Sequence, residues 1–453
     1  MKKILSVGAV LFLASSCQTY QKMVLEPEEI LADLNKQRQR LSNSQEMTFV
    51  QAAQIMDENN LQLEQIRKAY EGFQSIAAIK TPLPNPSLEI GAAFGSRLSG
   101  TTASSSQPFV GLGFSIPLGP RLRRNDELNQ VLALKAYNEQ VLQHRELYFE
   151  LRSAYVSFSL SQKAMQVQAE MEANLELTKK ATTKLFDIGS VTKLGLNAVE
   201  VQLARLKLGQ IDTKINAQSS LSELAKLLVL EEESLRQAKF NSLPELAMQM
   251  SFDSLRSKLI RNGADLARAE MSFHLSDAEL RLDLAKQYPD LNVGFSGDQE
   301  VGEKRQTFSI PFSVELPVFD RNQQAIASSL NMREQRLIRY KATMNSALTE
   351  LRKLHKQYKY SFEKFRYMKE TVIPLSASNL ESAKKALKLG TIDILRYLDM
   401  VNAHQKMKLD LVELEQASWG LRIQLEKLCG QPLVASLNTS FPLTSLKNSD
   451  KNK

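Results

Sequence analysis

Apolar and polar residues alternate strictly in four short stretches of the chain. In residues 86–95, PSLEIGAAFG, the side chains of Leu88, Ile90 and Phe94 fall on one side of an extended strand. Serine, glutamate and glycine fall on the other side. A period of two is the pattern of a β-strand. It predicts four strands: 87–95, 108–118, 291–297 and 307–318.

The apolar face of these strands is predicted to contact lipid. Strands of this length can cross a bilayer when tilted, and the small polar face, which includes Glu89, suits a watery lumen. Four strands cannot close a barrel, and open edges are not tolerated in lipid, so this interpretation requires several chains. The alternative is a β-domain with one face on a soluble core. The predicted lipid-facing residues are Leu88, Ile90, Phe94, Leu112, Phe114, Ile116, Val293, Phe295, Ile310, Phe312 and Val314.

Prolines interrupt this pattern at three places. Pro117 and Pro317 are predicted to mark strand ends, and Pro311 a bulge or bend, because proline cannot donate to a sheet ladder.

Helical periodicity covers most of the remaining chain. Pro374 lies inside one predicted helix and is expected to kink it. The longest helices would measure about 90 to 100 Å, which favours rods that need neighbours rather than a compact domain. The predicted helices are 44–80, 126–187, 192–230, 252–287, 323–389 and 392–428.

Two tandem repeats are predicted from similar segments spaced by about 200 residues. LFDIGSVTKL at 185–194 recurs as ALKLGTIDIL at 386–395, each with a glycine where a helix would end. The predicted tip turns are 187–191 and 389–391. The predicted divisions are an extended segment 18–43, a first repeat 44–243, a second repeat 244–430 and a polar tail 431–453.

The N-terminus predicts export and lipidation. Lys2 and Lys3 precede an apolar run, and small residues then precede Cys17, as in a lipoprotein signal peptide of residues 1–17. An ordinary signal peptide cut nearby is the alternative. The formal net charge of +8 is spread along helices among acidic residues, so it indicates solvated helix faces rather than nucleic-acid binding.

No catalytic or metal-binding motif is present in the sequence. The four histidines lack metal-ligand spacing, and no nucleophile elbow or phosphate loop occurs. The only cysteine besides Cys17 is Cys429, which is predicted to be a packed thiol. We therefore expect no enzyme activity, no metal site and no cofactor.

Several segments together resemble the TolC-like outer-membrane efflux protein family. They are YPDLNVGFSG, SVELPVFDRNQQAIA, VIPLSASNLESAKKALKLGTIDILRYLDMVNAHQ and LRIQLEKLCG. LPNPSLEIG and PVFDRNQ are most similar to the Czc-type branch, which serves heavy-metal cation pumps. The resemblance implies a mostly α fold with a small β part. A long α-helical periplasmic barrel would join a trimeric outer-membrane β-barrel with four strands per chain.

The resemblance also implies partners and site residues. A homotrimer in outer-membrane lipid would meet a periplasmic adaptor (membrane fusion) protein and an inner-membrane pump of the RND type. Three copies of Asp399 would ring the periplasmic aperture, beside Arg396, which stands where some relatives carry an acid. The expected adaptor contact comprises Phe186, Asp187, Gly189, Ser190, Val191, Leu389, Gly390, Thr391 and Ile392.

The function expected from the resemblance is a passive duct of a tripartite efflux system. Its substrates would include heavy-metal cations, but drug efflux and type I protein secretion remain open alternatives. A non-channel periplasmic scaffold lipoprotein made of coiled-coil hairpins is the alternative from another class.

Overall fold

A computed structural model describes residues 20–39, 46–96, 104–241, 243–247, 251–300 and 305–433. The predicted signal peptide with Cys17, and all of the predicted tail beyond residue 433, lie outside the described residues. The described chain is mostly helical, with a few strands.

The first half of the chain contains one very long helix. Helix α4, at 67 residues, extends about 100 Å at 1.5 Å per residue. The helices of this half are α1 (Pro27–Gln39), α2 (Phe49–Asn59), α3 (Leu61–Ala78), α4 (Arg121–Asp187), α5 (Lys193–Leu228) and α6 (Glu232–Gln237).

In the second half, the long helix is interrupted. A π-helical turn over Met368–Val372 separates two α-helical parts and ends two residues before Pro374, where the sequence predicts a kink. The helices are α7 (Phe252–Asn262), α8 (Ala264–Ala285), α9 (Gln323–Tyr367), α10 (Ile373–Lys388) and α11 (Ile394–Cys429).

The main sheet is antiparallel and joins the two halves of the chain. Its order is β2-β3-β5, and β5 pairs on its other side with β6 and β7. A separate parallel pair of two-residue strands joins β1 to β4. The strands are β1 (Glu46–Met47), β2 (Ser87–Ser96), β3 (Ser104–Pro117), β4 (Lys239–Phe240), β5 (Asp290–Glu300), β6 (Arg305–Ser309) and β7 (Phe312–Val314).

Three apolar clusters hold the helices together. The largest lies where α2, α4, α5 and α11 meet and contains the buried Trp419. A second joins α7 to α9 and α11 around Leu351. The third lies beside the predicted tip turns, where α4, α5 and α11 meet, and contains Leu175 and Ile394.

Two predicted helices are each divided in two, which corrects the sequence prediction. At Asn60 the backbone is extended, and the side-chain oxygen accepts hydrogen bonds from the N–H groups of Gln62 and Leu63, so it caps a new helix. At Gly263 the backbone is also extended, and a Cβ there would lie 2.6 Å from the Leu259 carbonyl oxygen. Only glycine, which has no Cβ, allows the backbone to approach this carbonyl so closely.

The predicted strand 307–318 is also wrong in part, because it is divided and shorter. Pro311 separates β6 from β7, in agreement with the predicted bend, and its carbonyl still accepts a hydrogen bond from the Gly294 N–H at 2.9 Å. Strand β7 ends at Val314, before Pro317, which has no N–H to continue the ladder.

The predicted extended segment 18–43 contains a helix instead. Pro27 occupies its first turn, followed by Glu28 and Glu29. Proline at the start of a helix and acidic residues in the first turn are both favourable, because the first N–H groups are unpaired and carry partial positive charge.

Candidate functional site

The main sheet carries its apolar side chains on one face and its small side chains on the other. Phe94 is 81% exposed on β2, and Phe114 contacts Phe295 edge-to-face across β3 and β5. Among the predicted lipid-facing residues, Val293 is half-buried and the others are exposed. A wide exposed apolar face is unusual for a protein surrounded by water.

The opposite face of the sheet carries small and polar residues. Gly111 and Gly113 pair with Ser296 and Gly294, and Glu89 lies on this face beside them. The Glu89 side chain is exposed, opposite in direction to Leu88 and Ile90, as the predicted register requires.

The two predicted tip turns have the same backbone geometry. Gly189 and Gly390 have φ of +74° and +69°. At each turn the glycine N–H and the next N–H bond back to carbonyls near the helix end, which is the Schellman pattern. These left-handed positions require a residue without a Cβ penalty.

A polar cap begins the helix after each turn. The Thr192 side chain accepts from the Gly195 N–H at 3.3 Å, and the Asp393 carboxylate accepts from the Arg396 N–H at 2.7 Å. The two turns are brought together in one cluster, in which Ile394 approaches Gly195.

Exposed apolar side chains surround both glycines. Leu389 is 78% exposed and Phe186 37%, whereas the predicted residues Val191 and Ile392 are half-buried. Asp187, Ser190 and Thr391 are exposed. Sequence reasoning missed Ile188 and Leu194, which are 73% and 71% exposed, and Leu395. Ile188 could have been found from the sequence, because it directly precedes Gly189 as Leu389 directly precedes Gly390.

The predicted aperture residues lie in the first turns of α11. Both Asp399 and Arg396 are exposed, and neither side chain takes part in an ion pair among the residues that the structure describes. A ring of three Asp399 carboxylates stays a prediction.

In the described parts of the chain, we find no cluster of three or more histidine, cysteine or acidic side chains able to hold a metal ion. No described helix combines the length and apolarity needed to cross a membrane.

Sequence comparison identifies a heavy-metal resistance protein. The chain is 24% identical over 228 residues to the cobalt-zinc-cadmium resistance protein CzcC of Cupriavidus metallidurans. The match covers 47% of this chain and 54% of that protein, so the chain spans about half the length of this curated relative. No protein-family model matches the chain.

Structure comparison identifies outer-membrane channels. The outer-membrane channel OprN matches with a TM-score of 0.70 and 18% identity, over 84% of this chain and 89% of that one. CusC, whose structures concern transmembrane channel formation, matches with a TM-score of 0.67 and 16% identity, over 92% and 99%. The chain has the TolC-like channel fold, and its sequence is similar to the cobalt-zinc-cadmium resistance protein CzcC.

Proposed function

We propose that the protein is the outer-membrane duct of a tripartite efflux system that exports heavy-metal cations. The observation that carries this proposal is the main sheet, which has exposed apolar side chains on one face and small and polar residues on the other. Lipid solvates such an apolar face, and water in a lumen solvates the polar one.

Oligomerisation follows from the edges of the same sheet. Strand β2 forms one edge and strands β6 and β7 the other. Because unpaired N–H and C=O groups are costly in lipid, each edge would pair with a strand of another copy. Three copies supply enough strands to close one barrel, and their long helices would form a periplasmic tunnel continuous with it.

The cation cargo is proposed from the relative and from charge. CzcC is named for resistance to cobalt, zinc and cadmium. The Asp399 carboxylate has no ionic partner among the described residues, so three copies at an aperture would attract cations. The tunnel would act passively, and an RND-type inner-membrane pump would supply energy and substrate through the adaptor.

The tip turns are the proposed adaptor contact. Ile188 and Leu389 expose apolar side chains at turns whose glycines are open to solvent. Apolar side chains exposed in a cluster mark protein contacts. Replacing both residues by glutamate is expected to abolish metal resistance in a complemented deletion strain and to leave membrane trimers intact.

A matched control keeps this experiment specific. Leu177 is 64% exposed on α4, away from the turn, and Leu177→Glu changes the same chemistry on the same helix. This control should retain resistance. Full resistance in the tip double variant would contradict the adaptor contact.

Membrane residence separates the duct from a periplasmic scaffold. Cys17 is proposed to carry a lipid anchor, so exchanging residues 1–17 for a cleavable secretory signal peptide removes that anchor and leaves the strands. A duct stays in the outer membrane after alkaline carbonate washing, because its strands hold it there. Release of the variant as a soluble protein would overturn the proposal in favour of a scaffold.

A further inference from the structure

Positive charge is concentrated at the two tip turns. Within six residues of either tip glycine, at 183–195 and 384–396, the chain carries six cationic side chains and two acidic ones. The rest of the chain carries the other 52 cationic and 48 acidic residues, so its charges nearly cancel. Two short segments therefore supply half of the formal net charge of +8. The six cationic residues are Lys184, Lys193, Lys384, Lys385, Lys388 and Arg396.

None of these six cations forms an ion pair in the part of the chain that the structure describes. All six side chains are exposed. The ion pairs of lysine on the same helices lie further from the turns, as between Lys179 and Glu200. The Asp393 carboxylate accepts from the backbone N–H of Arg396 and so caps α11. The positive charge of the tips is therefore available to a partner.

Helix stability accounts for only some of these positions. Lys184, Lys385 and Lys388 lie in the last turns of α4 and α10, where a cation is favourable because a helix C-terminus carries partial negative charge. Lys193 begins α5, and Arg396 is in the first turn of α11, where the partial charge is positive and a cation is unfavourable. Helices α1, α3, α6, α7 and α8 instead carry an acid in the first turn. Stability does not explain Lys193 and Arg396, whereas an acidic partner would.

Three of the cations are direct chain neighbours of an exposed leucine. Leu194, Leu389 and Leu395 are 71%, 78% and 36% exposed, and they follow Lys193, follow Lys388 and precede Arg396. Protein contact sites combine apolar side chains with a polar rim. At the tip turns the polar part of this combination has one sign of charge.

We propose that the tip turns bind an acidic protein surface, in which aspartate or glutamate side chains flank an apolar centre. This inference rests on the proposed function, because adaptor contact at the tips supplies the partner. Opposite charges would speed the encounter and reject partners of the wrong sign, while the leucines supply apolar contact. A layer of anionic lipid needs only the charge, whereas Lys193 and Arg396 occupy fixed first-turn positions at a cost in helix stability.

Synthetic helical peptides test the charge of the partner directly. The probe is a fluorescein-labelled helix with a leucine stripe and glutamate at the remaining positions, and the comparison helix carries lysine in place of glutamate. Fluorescence anisotropy measures the binding of each to full-length trimers in nanodiscs of zwitterionic lipid, with empty nanodiscs as background. At low salt the glutamate helix should bind about tenfold more tightly or better, and added salt should reduce this difference.

The Lys193→Glu/Arg396→Glu double variant separates binding from stability. Acids are favourable in the first turns of α5 and α11, so the melting temperature should stay the same or rise. Affinity for the glutamate helix should nevertheless fall about tenfold, and affinity for the lysine helix should rise. The matched control is Lys341→Glu/Lys356→Glu, which reverses two exposed cations of α9 without an ion pair in the described chain and should change neither affinity.

Equal affinities of the two helices for wild-type trimers, or undiminished binding of the glutamate helix by the tip double variant, would overturn the proposal. Displacement of the glutamate helix by phosphatidylglycerol vesicles, but not by phosphatidylcholine vesicles, would assign the surface to anionic lipid instead. Failure of the adaptor contact itself has a different result, namely full metal resistance when Ile188 and Leu389 are replaced by glutamate. Lost resistance there, combined with binding of peptides that ignores their charge, would keep the adaptor contact and remove the acidic partner.

Discussion

The two helical arms that carry the tip turns differ by one residue between their middle and their tip, because Leu151 lies 38 positions before Gly189 and Leu351 lies 39 positions before Gly390. The first arm is α4 and α5; the second arm is α9, the π-turn, α10 and α11. In the middle of the arms, the buried residues Leu151 and Leu351 are 200 positions apart. At the tips, Gly189 and Gly390 correspond at 201.

The π-turn lies between these two zones and accounts for the extra residue. A π-turn closes its hydrogen bonds over one more residue than an α-turn, so it absorbs an insertion without rotating the helix that follows. Both arms can thus deliver equivalent turns to the same cluster. The lengths of the two arms are therefore matched by local winding of the helix as well as by residue number.

Single-residue deletions should test this account with the largest effect. Thr371 is exposed within the π-turn, and its deletion should restore a regular α-helix with the tip in register. Ala169 is exposed at about the corresponding position of α4. Its deletion should rotate the part of α4 that follows it by about 100°. Leu175 would then leave its cluster, at a cost of about 1.5 to 3 kcal/mol for each such side chain.

Thermal unfolding by circular dichroism and trimer yield on native gels measure both deletions. The expected order is near-normal trimers for the Thr371 deletion and few or none for the Ala169 deletion. The reverse order would show that the π-turn is not the compensating element.

Proline exchange should give the next largest effect. Ala173 in α4 corresponds to Pro374, and Ala173→Pro should cost about 3 kcal/mol, because α4 has no π-turn to accommodate the missing N–H. Pro374→Ala should stabilise the second arm by less than this. Melting temperatures of the two variants test the difference, and equal and opposite shifts would contradict a role for the π-turn.

The tip glycines should respond equally. Gly189→Ala and Gly390→Ala should each destabilise by about 1 to 2 kcal/mol, since both positions are left-handed and neither added Cβ would meet another atom within 4 Å. Asparagine at either site should cost less than alanine. Denaturant unfolding measures these shifts, and unequal values would indicate that the turns are not equivalent.

The smallest expected effect is a difference between the two arms in how their stability depends on pH. Leu175 and Leu203 of the first arm correspond to Ser376 and His404 of the second, where Ser376 Oγ lies 2.8 Å from His404 Nδ1.

Burial, and then the nearby Lys408, lower the pKa of His404 below its usual 6.5. The unfolded chain therefore takes up this proton first, and the second arm should lose stability as pH falls through about 6.5 and below. The His404→Leu variant makes this position like the first arm. Its melting temperature should vary less between pH 7.5 and pH 5 than that of the wild type, and an unchanged pH slope would contradict the assignment.

Strands and tip glycines could be predicted from sequence because their signals are local. Alternation marks the faces of β2, and the Gly189 and Gly390 turns repeat similar letters. The π-turn is marked less directly, by Pro374 two residues after it and by the change in spacing from 200 to 201 positions. The ion pair between Arg152 and Glu426 could not be predicted from the sequence, because only the packing of α4 on α11 brings the two side chains together.

The helix breaks at Asn60 and Gly263 had a sequence signal, but a weak one. Asn60 is a good capping residue, and Gly263 a poor helix former, so both carried a signal. The strong helical periodicity on either side outweighed that signal. Tertiary contacts, such as the hydrogen bond from Asn60 to the Leu227 carbonyl, settle the break in the folded chain.

Conductance across a planar bilayer is the most direct test of the proposed duct. Purified trimers should insert and give discrete current steps without any energy source. A salt gradient should give a reversal potential that favours cations, and Asp399→Asn should weaken that preference while leaving the steps. Trimers that insert but carry no current, or that conduct anions preferentially with Asp399 intact, would contradict a cation duct.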